Sequence, residues 1–429
     1  MHTIKVTKFL DWGFLMPTDL SQGFLRVFVI ERTGLAPIEN ASVTIVYENA
    51  PEAEPREFTT NNSGQTPDIS LPAPPRSYSE APDEPKPYSE YTITVNKPGY
   101  EEAIVTGSEI LPGEISIQVI QLNRLTEPVE PPVMINIPDH TLYGEYPAKI
   151  PEPEIKPLPE RGEIVLSRVV IPEYVIVHDG VPSDASAPNY WVRYTDYIKN
   201  VASCEIYATW EEASILANIL VIMSFTLNRV FTEFYRNQGY DFTITTSTAY
   251  DQKFVYGRNI FENISNLVDQ VFNNYLARPG ITQPIFTSYC DGQRVTCNGL
   301  SQWGSKFLGD QGYSAIEIIR YYYGQDMYIA TAEQISGVPS SFPGYELTIG
   351  ASGDKVRQLQ RQLNRIAQDY PAIPTLNVDG VYGPRTSESV RMFQKIFGLP
   401  QTGVTDFATW YAISRIYVGV SRISEPGVF

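Results

Sequence analysis

Basic residues are scarce in this chain. Its 429 residues hold 32 Lys and Arg against 49 Asp and Glu, a formal net charge of −17. Without a basic excess nothing displaces counterions from phosphates, which argues against nucleic acid as a main partner. Cysteine and histidine are scarcer still, with three of each. Three cysteines make no disulfide framework. Cys290 and Cys297 stand close enough in sequence to bridge and could equally be reduced. His2, His140 and His178 are scattered and no Cys/His group has zinc-ligand spacing, so no metal site and no cofactor is expected. Long apolar runs are also missing. The N-terminal stretch is interrupted by Asp11 before it reaches signal-peptide length. The most apolar segment, 213–234, contains Asn218, Ser224, Asn228, Arg229 and Glu233, and reads as a buried helix, not a membrane span.

Proline (34) and tyrosine (28) are abundant, and charge is unevenly spread. Residues 1–163 hold 25 acids and 12 bases, net −13, whereas residues 346–429 hold 7 acids and 9 bases, net +2. Modules of different origin are implied. Residues 1–21 read as an N-terminal arm. In 22–123, Leu25, Val27 and Val29 alternate, as do Val43, Ile45 and Tyr47, and Tyr91, Ile93 and Val95. With turn residues such as Asn61-Asn62-Ser63-Gly64 between them, these short strands predict a β-sandwich. Residues 124–163 carry nine prolines between Glu127 and Glu160, interleaved with acids. That composition predicts a semi-rigid spacer. Residues 164–340 read as mixed α/β, with helices over 210–236 and 261–276. A third helix, 314–323, is entered by Ser314 with Glu317 three residues on, a capping box. Residues 345–429 read as a small domain of three helices, with Leu359, Leu363 and Ile366, then Val390, Phe393 and Ile396, at helical spacing.

Three resemblances attach to these segments. Residues 22–123 resemble the carboxypeptidase-regulatory-like and transthyretin-like sandwiches, through Pro37-Ile38-Glu39-Asn40-Ala41-Ser42-Val43, Thr60–Thr66 and Tyr91–Val95. The segment reads as a spacer or docking module, one through which a protein assembly could form, and not as a catalytic one. Residues 346–415 resemble the peptidoglycan-binding-one family. The matching motifs are Gly350-Ala351-Ser352-Gly353, Leu359-Gln360, Val378-Asp379-Gly380-Val381-Tyr382-Gly383, Phe393-Gln394, Gly398-Leu399, Gly403-Val404 and Thr409-Trp410. A wall-binding module is implied. Asp379-Gly380 and Tyr382-Gly383 read as a tight turn, Thr386 as a helix cap, and Tyr382, exposed on the turn, as a ligand-contacting residue.

The central segment resembles the stage II sporulation protein D family over about 164–335. The matching motifs are Val201-Ala202-Ser203-Cys204-Glu205 ahead of a long helix, Tyr250–Gly257, Ile285–Tyr289, Gly299-Leu300-Ser301-Gln302-Trp303-Gly304 and Gly312–Gly324. Active members are lytic transglycosylases that cleave peptidoglycan strands denuded of stem peptides. The resemblance implies Glu205 as the single catalytic acid, in apolar surroundings supplied by Ile206, Tyr207 and Trp210. Gln252, Tyr289 and Gln302 are implied to bind sugar or to orient Glu205. Departures stand beside it. Ile206-Tyr207 replaces the family's Met-Pro, Leu216, Asn218 and Met223 replace Lys, Gln and Arg, and Thr296-Cys297-Asn298 lacks a histidine. Residues 243–251 lack the Cys and His of zinc-binding relatives, so no zinc is inferred.

The fold class expected is thus multidomain: an N-terminal β-sandwich, a central mixed α/β domain and a C-terminal three-helix domain. The function expected is that of a bacterial, peptidoglycan-directed protein whose partners are wall glycan strands, cleaved by the central domain. The alternative is a non-catalytic adaptor of a spore envelope or a phage-tail-like particle. Lacking a standard export signal, the chain is expected to be made in the cytoplasm and to act at the wall, the spore envelope or a particle.

Overall fold

The computed structural model describes residues 21–125, 131–157, 168–337 and 342–421. The expected arm, apart from Ser21, lies outside the described residues. Eight strands come first: β1 (Ser21–Glu31), β2 (Ser42–Tyr47), β3 (Arg56–Thr59), β4 (Ile69–Ala73), β5 (Ser89–Asn96), β6 (Ala103–Ile110), β7 (Ile115–Leu122) and β8 (Val133–Asn136). Alternation builds them, because successive strand side chains point to opposite faces. Leu25, Val27 and Val29 of β1 share one apolar cluster with Val43 and Ile45 of β2 and Ile93 and Val95 of β5. One sheet runs β3-β2-β5-β6-β8, and the other runs β7-β1-β4. β1 is parallel to β7 and antiparallel to β4. In the turn between β3 and β4, Asn61 Oδ1 accepts the amides of Ser63 (2.8 Å) and Gln65 (3.1 Å). Gly64 there has φ 73°, and a Cβ would lie 2.4 Å from the Val29 carbonyl oxygen, so only glycine fits.

Chain from beyond residue 123 closes both sheets. β8 pairs parallel with β6, Ala103 opposite Val133. The two-residue strand Ile260–Phe261 pairs antiparallel with the outer edge of β7. Both remove open edges. A buried ion pair joins the same regions: Arg258 donates to Glu109 Oε2 at 2.8 Å, with both side chains about 1% exposed.

The proline-rich segment was expected to be a spacer. Its described part, 131–157, is instead a strap packed along the protein. Beyond β8, Ile137, His140, Leu142 and Lys156 are buried. Glu152 takes two hydrogen bonds from Arg229, at 2.8 and 2.6 Å. Its side chains find apolar and charged partners, so ladder pairing, which proline forbids, is not needed to hold it.

The central region is built around α2 (Glu212–Phe231), preceded by α1 (Tyr194–Glu205). Around it stand α3 (Glu262–Val271), α4 (Gln302–Asp310) and α5 (Ala315–Tyr323). A three-stranded sheet carries Tyr174–His178 at its centre, antiparallel to Asn189–Arg193 and parallel to Ile244–Thr245. Among the described residues α2 is the one helix long and apolar enough to cross a membrane, but 89% of its apolar window is buried in the protein. α3 is shorter than the 261–276 expected: at Asn274–Ala277 the chain becomes a strand paired with Tyr328–Thr331. The Ser314–Glu317 capping box at α5 is present.

The C-terminal unit packs α6 (Asp354–Asp369), α7 (Pro384–Ile396) and α8 (Phe407–Ser421) around Leu359, Leu363, Val390, Phe393 and Trp410. It is joined to the rest. Phe28 of β1 meets the rings of Tyr370 and Phe397, at 6.5 and 6.1 Å between centroids. Phe272 meets Phe407 at 5.2 Å, and Tyr370 Oη donates to the Leu35 carbonyl at 2.7 Å. Thr386 does not cap α7. Gly383 holds the cap position without a side-chain bond, and Thr386 lies buried one turn in, within reach of Gln360.

Candidate functional site

Glu205 is the last residue of α1. The chain leaves the helix there because Ile206 is extended. The freed helix-end carbonyls need donors, and the strap supplies them. The Thr141 amide (3.2 Å) and hydroxyl (2.9 Å) both donate to the Cys204 carbonyl. His140 Nδ1 accepts the Leu142 amide at 3.2 Å, which leaves Nε2 to donate to the Ile206 carbonyl at 3.3 Å. Burial holds this imidazole well below its ordinary pKa, and hence neutral.

Glu205 is 3% exposed. Its Oε1 accepts the Lys253 amide at 2.7 Å, and its Oε2 accepts the hydroxyl of Tyr289. Burial raises its pKa, opposed first by the charge of Lys149 and then by these two hydrogen bonds. A position at the negative end of a helix dipole disfavours the carboxylate further. Burial and the neighbouring Glu205 charge raise Tyr289 well above the ordinary phenol value.

Glu205 lies on the wall of a cavity of about 350 Å³. The central region contributes Tyr289, Arg294 and Gln302 among others to that wall, and the strap contributes Thr141, Tyr146 and Lys149 among others. Arg294 ties the two together, donating to the carbonyls of Tyr143 (2.6 Å) and Gly144 (2.9 Å). A Cys290–Cys297 disulfide closes the loop that carries Arg294, while Cys204 is a buried free thiol. Lys149 is half-buried; its Nζ donates to the Asp251 carbonyl and stands 4.5 Å from the Tyr289 ring centroid.

Among the residues singled out from sequence, Glu205, Tyr289 and Gln302 come together at this cavity. Gln252 does not line it. Its side chain is buried under α2, where Oε1 accepts from Tyr197 (3.1 Å) and Thr226 (2.7 Å) and Nε2 donates to the Ile222 carbonyl (3.1 Å). Tyr207 and Trp210 turn away from it as well: Tyr207 packs on His140 at 4.5 Å, and Trp210 donates to the Ser79 carbonyl at 3.0 Å. Sequence reading missed His140, Thr141, Lys149 and Arg294. A signal was present in 139–146, a proline-free run holding His140, Leu142, Tyr143 and Tyr146 inside an otherwise proline-rich stretch. Beside the site, Arg229 sits fully buried between Asp251 (2.7 Å) and Glu152, and Asp251 also accepts from Tyr235 (2.6 Å) and Thr245 (2.7 Å). Among the described residues no group of His, Cys, Asp and Glu is arranged to hold a metal ion.

Residues 352–413 match the family described as "Putative peptidoglycan binding domain". That stretch covers α6, α7 and the first seven residues of α8. A search of curated proteins found no match. Among solved structures, the SleB N-terminal domain is similar at 34% identity, covering 18% of this chain and 99% of that one, with a TM-score of 0.16. GBS52, the minor pilin of Streptococcus agalactiae, is similar at 16% identity over 26% of this chain and 48% of that one, with a TM-score of 0.18. A 3-chlorocatechol 1,2-dioxygenase from Rhodococcus opacus 1CP is similar at 12% identity over 24% of this chain and 61% of that one, also at 0.18.

Within the peptidoglycan-binding unit, Tyr382 is not the exposed turn residue expected. It is fully buried, and its hydroxyl lies 3.0 Å from the Gly403 carbonyl and 3.1 Å from Thr405 Oγ1. The turn at 379–383 points its large ring inward because Gly380, at φ 77°, reverses the chain. Asp379 instead faces outward and accepts from Gln360 (2.8 Å) and the Val381 amide (2.8 Å).

Proposed function

We propose that this chain is a peptidoglycan-directed lytic transglycosylase: its central, sporulation-protein-D-like region cleaves wall glycan strands, and its C-terminal domain holds it on the wall. The facing β-sheets are read as a sandwich used for docking. The observation that carries the catalytic reading is the placement of Glu205, a desolvated carboxyl at a cavity wall with two hydrogen-bond donors on its oxygens. A carboxyl whose pKa is raised by burial is suited to general-acid catalysis. Glu205 protonates the glycosidic oxygen as the C1–O bond breaks. Its carboxylate then takes the proton of the sugar's 6-hydroxyl, whose oxygen closes onto C1 to give a 1,6-anhydro end. The sugar supplies the nucleophile, so a second carboxylate is not needed. The Lys253 amide and Tyr289 hydroxyl stabilise the carboxylate between the two transfers.

A second reading, a non-catalytic adaptor that uses both regions for attachment, is favoured by two features: the strap walls the cavity, and both Glu205 oxygens already have partners. Incubation with peptide-stripped glycan strands, analysed by mass spectrometry, separates the two. The enzyme reading predicts anhydro-ended fragments from the wild type and a loss of about 10²–10⁴ in rate for Glu205→Gln. Rate falls as pH rises through the raised Glu205 pKa, because the acid form is the active one. Wild-type protein that releases no anhydro product over long incubation leaves the adaptor.

A further inference from the structure

The strap is more than a cover, because it brings a cation to the site. We propose that Lys149 is a positioning residue for Glu205: from the strap, its ammonium packs against the ring of Tyr289, is anchored on the Asp251 carbonyl, and serves as the charge partner of the Glu205 carboxylate. This rests on Glu205 being the functional carboxyl of the cavity.

The geometry is threefold. Lys149 and Glu205 line the same cavity. Tyr289 joins them, its hydroxyl donating to Glu205 while its ring lies 4.5 Å from Lys149 Nζ. The Asp251 carbonyl that receives Lys149 is two residues from the Lys253 amide that holds Glu205 Oε1. One short loop therefore fixes both charges. Burial lowers the Lys149 pKa, and Glu205 is the first group opposing that fall; reciprocally, Lys149 is the first group opposing the rise at Glu205.

Other charged groups face the pair and are accounted for. On α2, Arg229 is neutralised by Asp251 and by Glu152 of the strap. On the disulfide loop, Arg294 lies against strap carbonyls and Asp291 accepts its own loop's amides. Glu145 also lines the cavity. Tyr197 of α1 hydrogen-bonds Gln252, and Lys253 stands 5.1 Å from the Tyr146 ring centroid. Among these cations Lys149 has the largest effect on Glu205, with Lys253 following.

The test reads Glu205 directly. Infrared difference spectra of the full chain are recorded against pH, and the carboxylic-acid band of Glu205 is assigned by its disappearance in Glu205→Gln. In Lys149→Met and Lys149→Gln the band's midpoint should move up by about one unit or more, the usual effect of losing a nearby opposite charge. Lys149→Arg, which keeps the charge, should restore the wild-type midpoint. An unchanged midpoint in the neutral variants overturns the proposal. So does unfolding of both neutral variants while Lys149→Arg folds, because the ammonium would then only hold the strap. If the midpoint shifts but no variant or wild type cleaves glycan, the transglycosylase reading falls and the Lys149 assignment stands.

Discussion

At the scale of single residues, burial decides what each polar group does. Tyr382 shows it: a tyrosine on a turn reads from sequence as a contact residue, yet its hydroxyl satisfies Gly403 and Thr405 inside the C-terminal core. Tyr382→Phe is predicted to cost about 1 kcal/mol in chemical denaturation, the net worth of an ordinary hydrogen bond, and to leave sacculus binding unchanged. Loss of binding with stability intact would return Tyr382 to the ligand surface. Glu109 carries a pH signature. Burial raises its pKa from an ordinary 4.5 to about 7 despite Arg258. The folded state therefore holds its proton more tightly than the unfolded chain. That contribution is fully present below the unfolded pKa and is lost as pH rises through the folded value. Wild-type melting temperature minus that of Glu109→Gln should therefore fall between about pH 4.5 and pH 7. A flat difference over that range contradicts it.

At the scale of elements, the sequence made strands β1, β2 and β5 of the first unit and the helices α2, α5, α6 and α7 readable, because alternation and helical spacing are local signals. Glu205 and Tyr289 were singled out through motif resemblance, and the structure places both on the wall of one cavity. The strap was not readable. Proline and acid content describe how a free segment behaves, whereas its placement depends on partners far away in sequence: Glu152 on Arg229, Thr141 on Cys204, Lys149 on Asp251. Arg229, the one basic residue in α2, was the local hint that such a partner exists. Its two carboxylate partners give a prediction. Arg229→Met removes the cation that faces fully buried Asp251 and unties Glu152 from α2, leaving Glu152 only its pairing with Lys156 within the strap. Breaking a buried pair from one side costs about 3–5 kcal/mol, so chemical denaturation should show a loss of that order and limited proteolysis should begin within 131–157. A loss under about 1 kcal/mol would mean the network does not hold the strap.

At the scale of the whole molecule, the described regions are joined and not strung out. β8 and Ile260–Phe261 extend the sheets of the first unit, and Phe28, Leu35 and Phe272 pack against the C-terminal helices. The C-terminal helices and the Glu205 cavity therefore stand in a set relation to each other instead of on a free tether. The claim beneath every functional statement above is that the chain is directed to peptidoglycan, and it rests on the match of residues 352–413. Co-sedimentation of the full-length protein with purified bacterial sacculi tests it most directly. The protein should pellet with the sacculi at low and moderate salt and be released by excess soluble glycan fragments. Folded protein that stays in the supernatant at both salt concentrations would contradict the account.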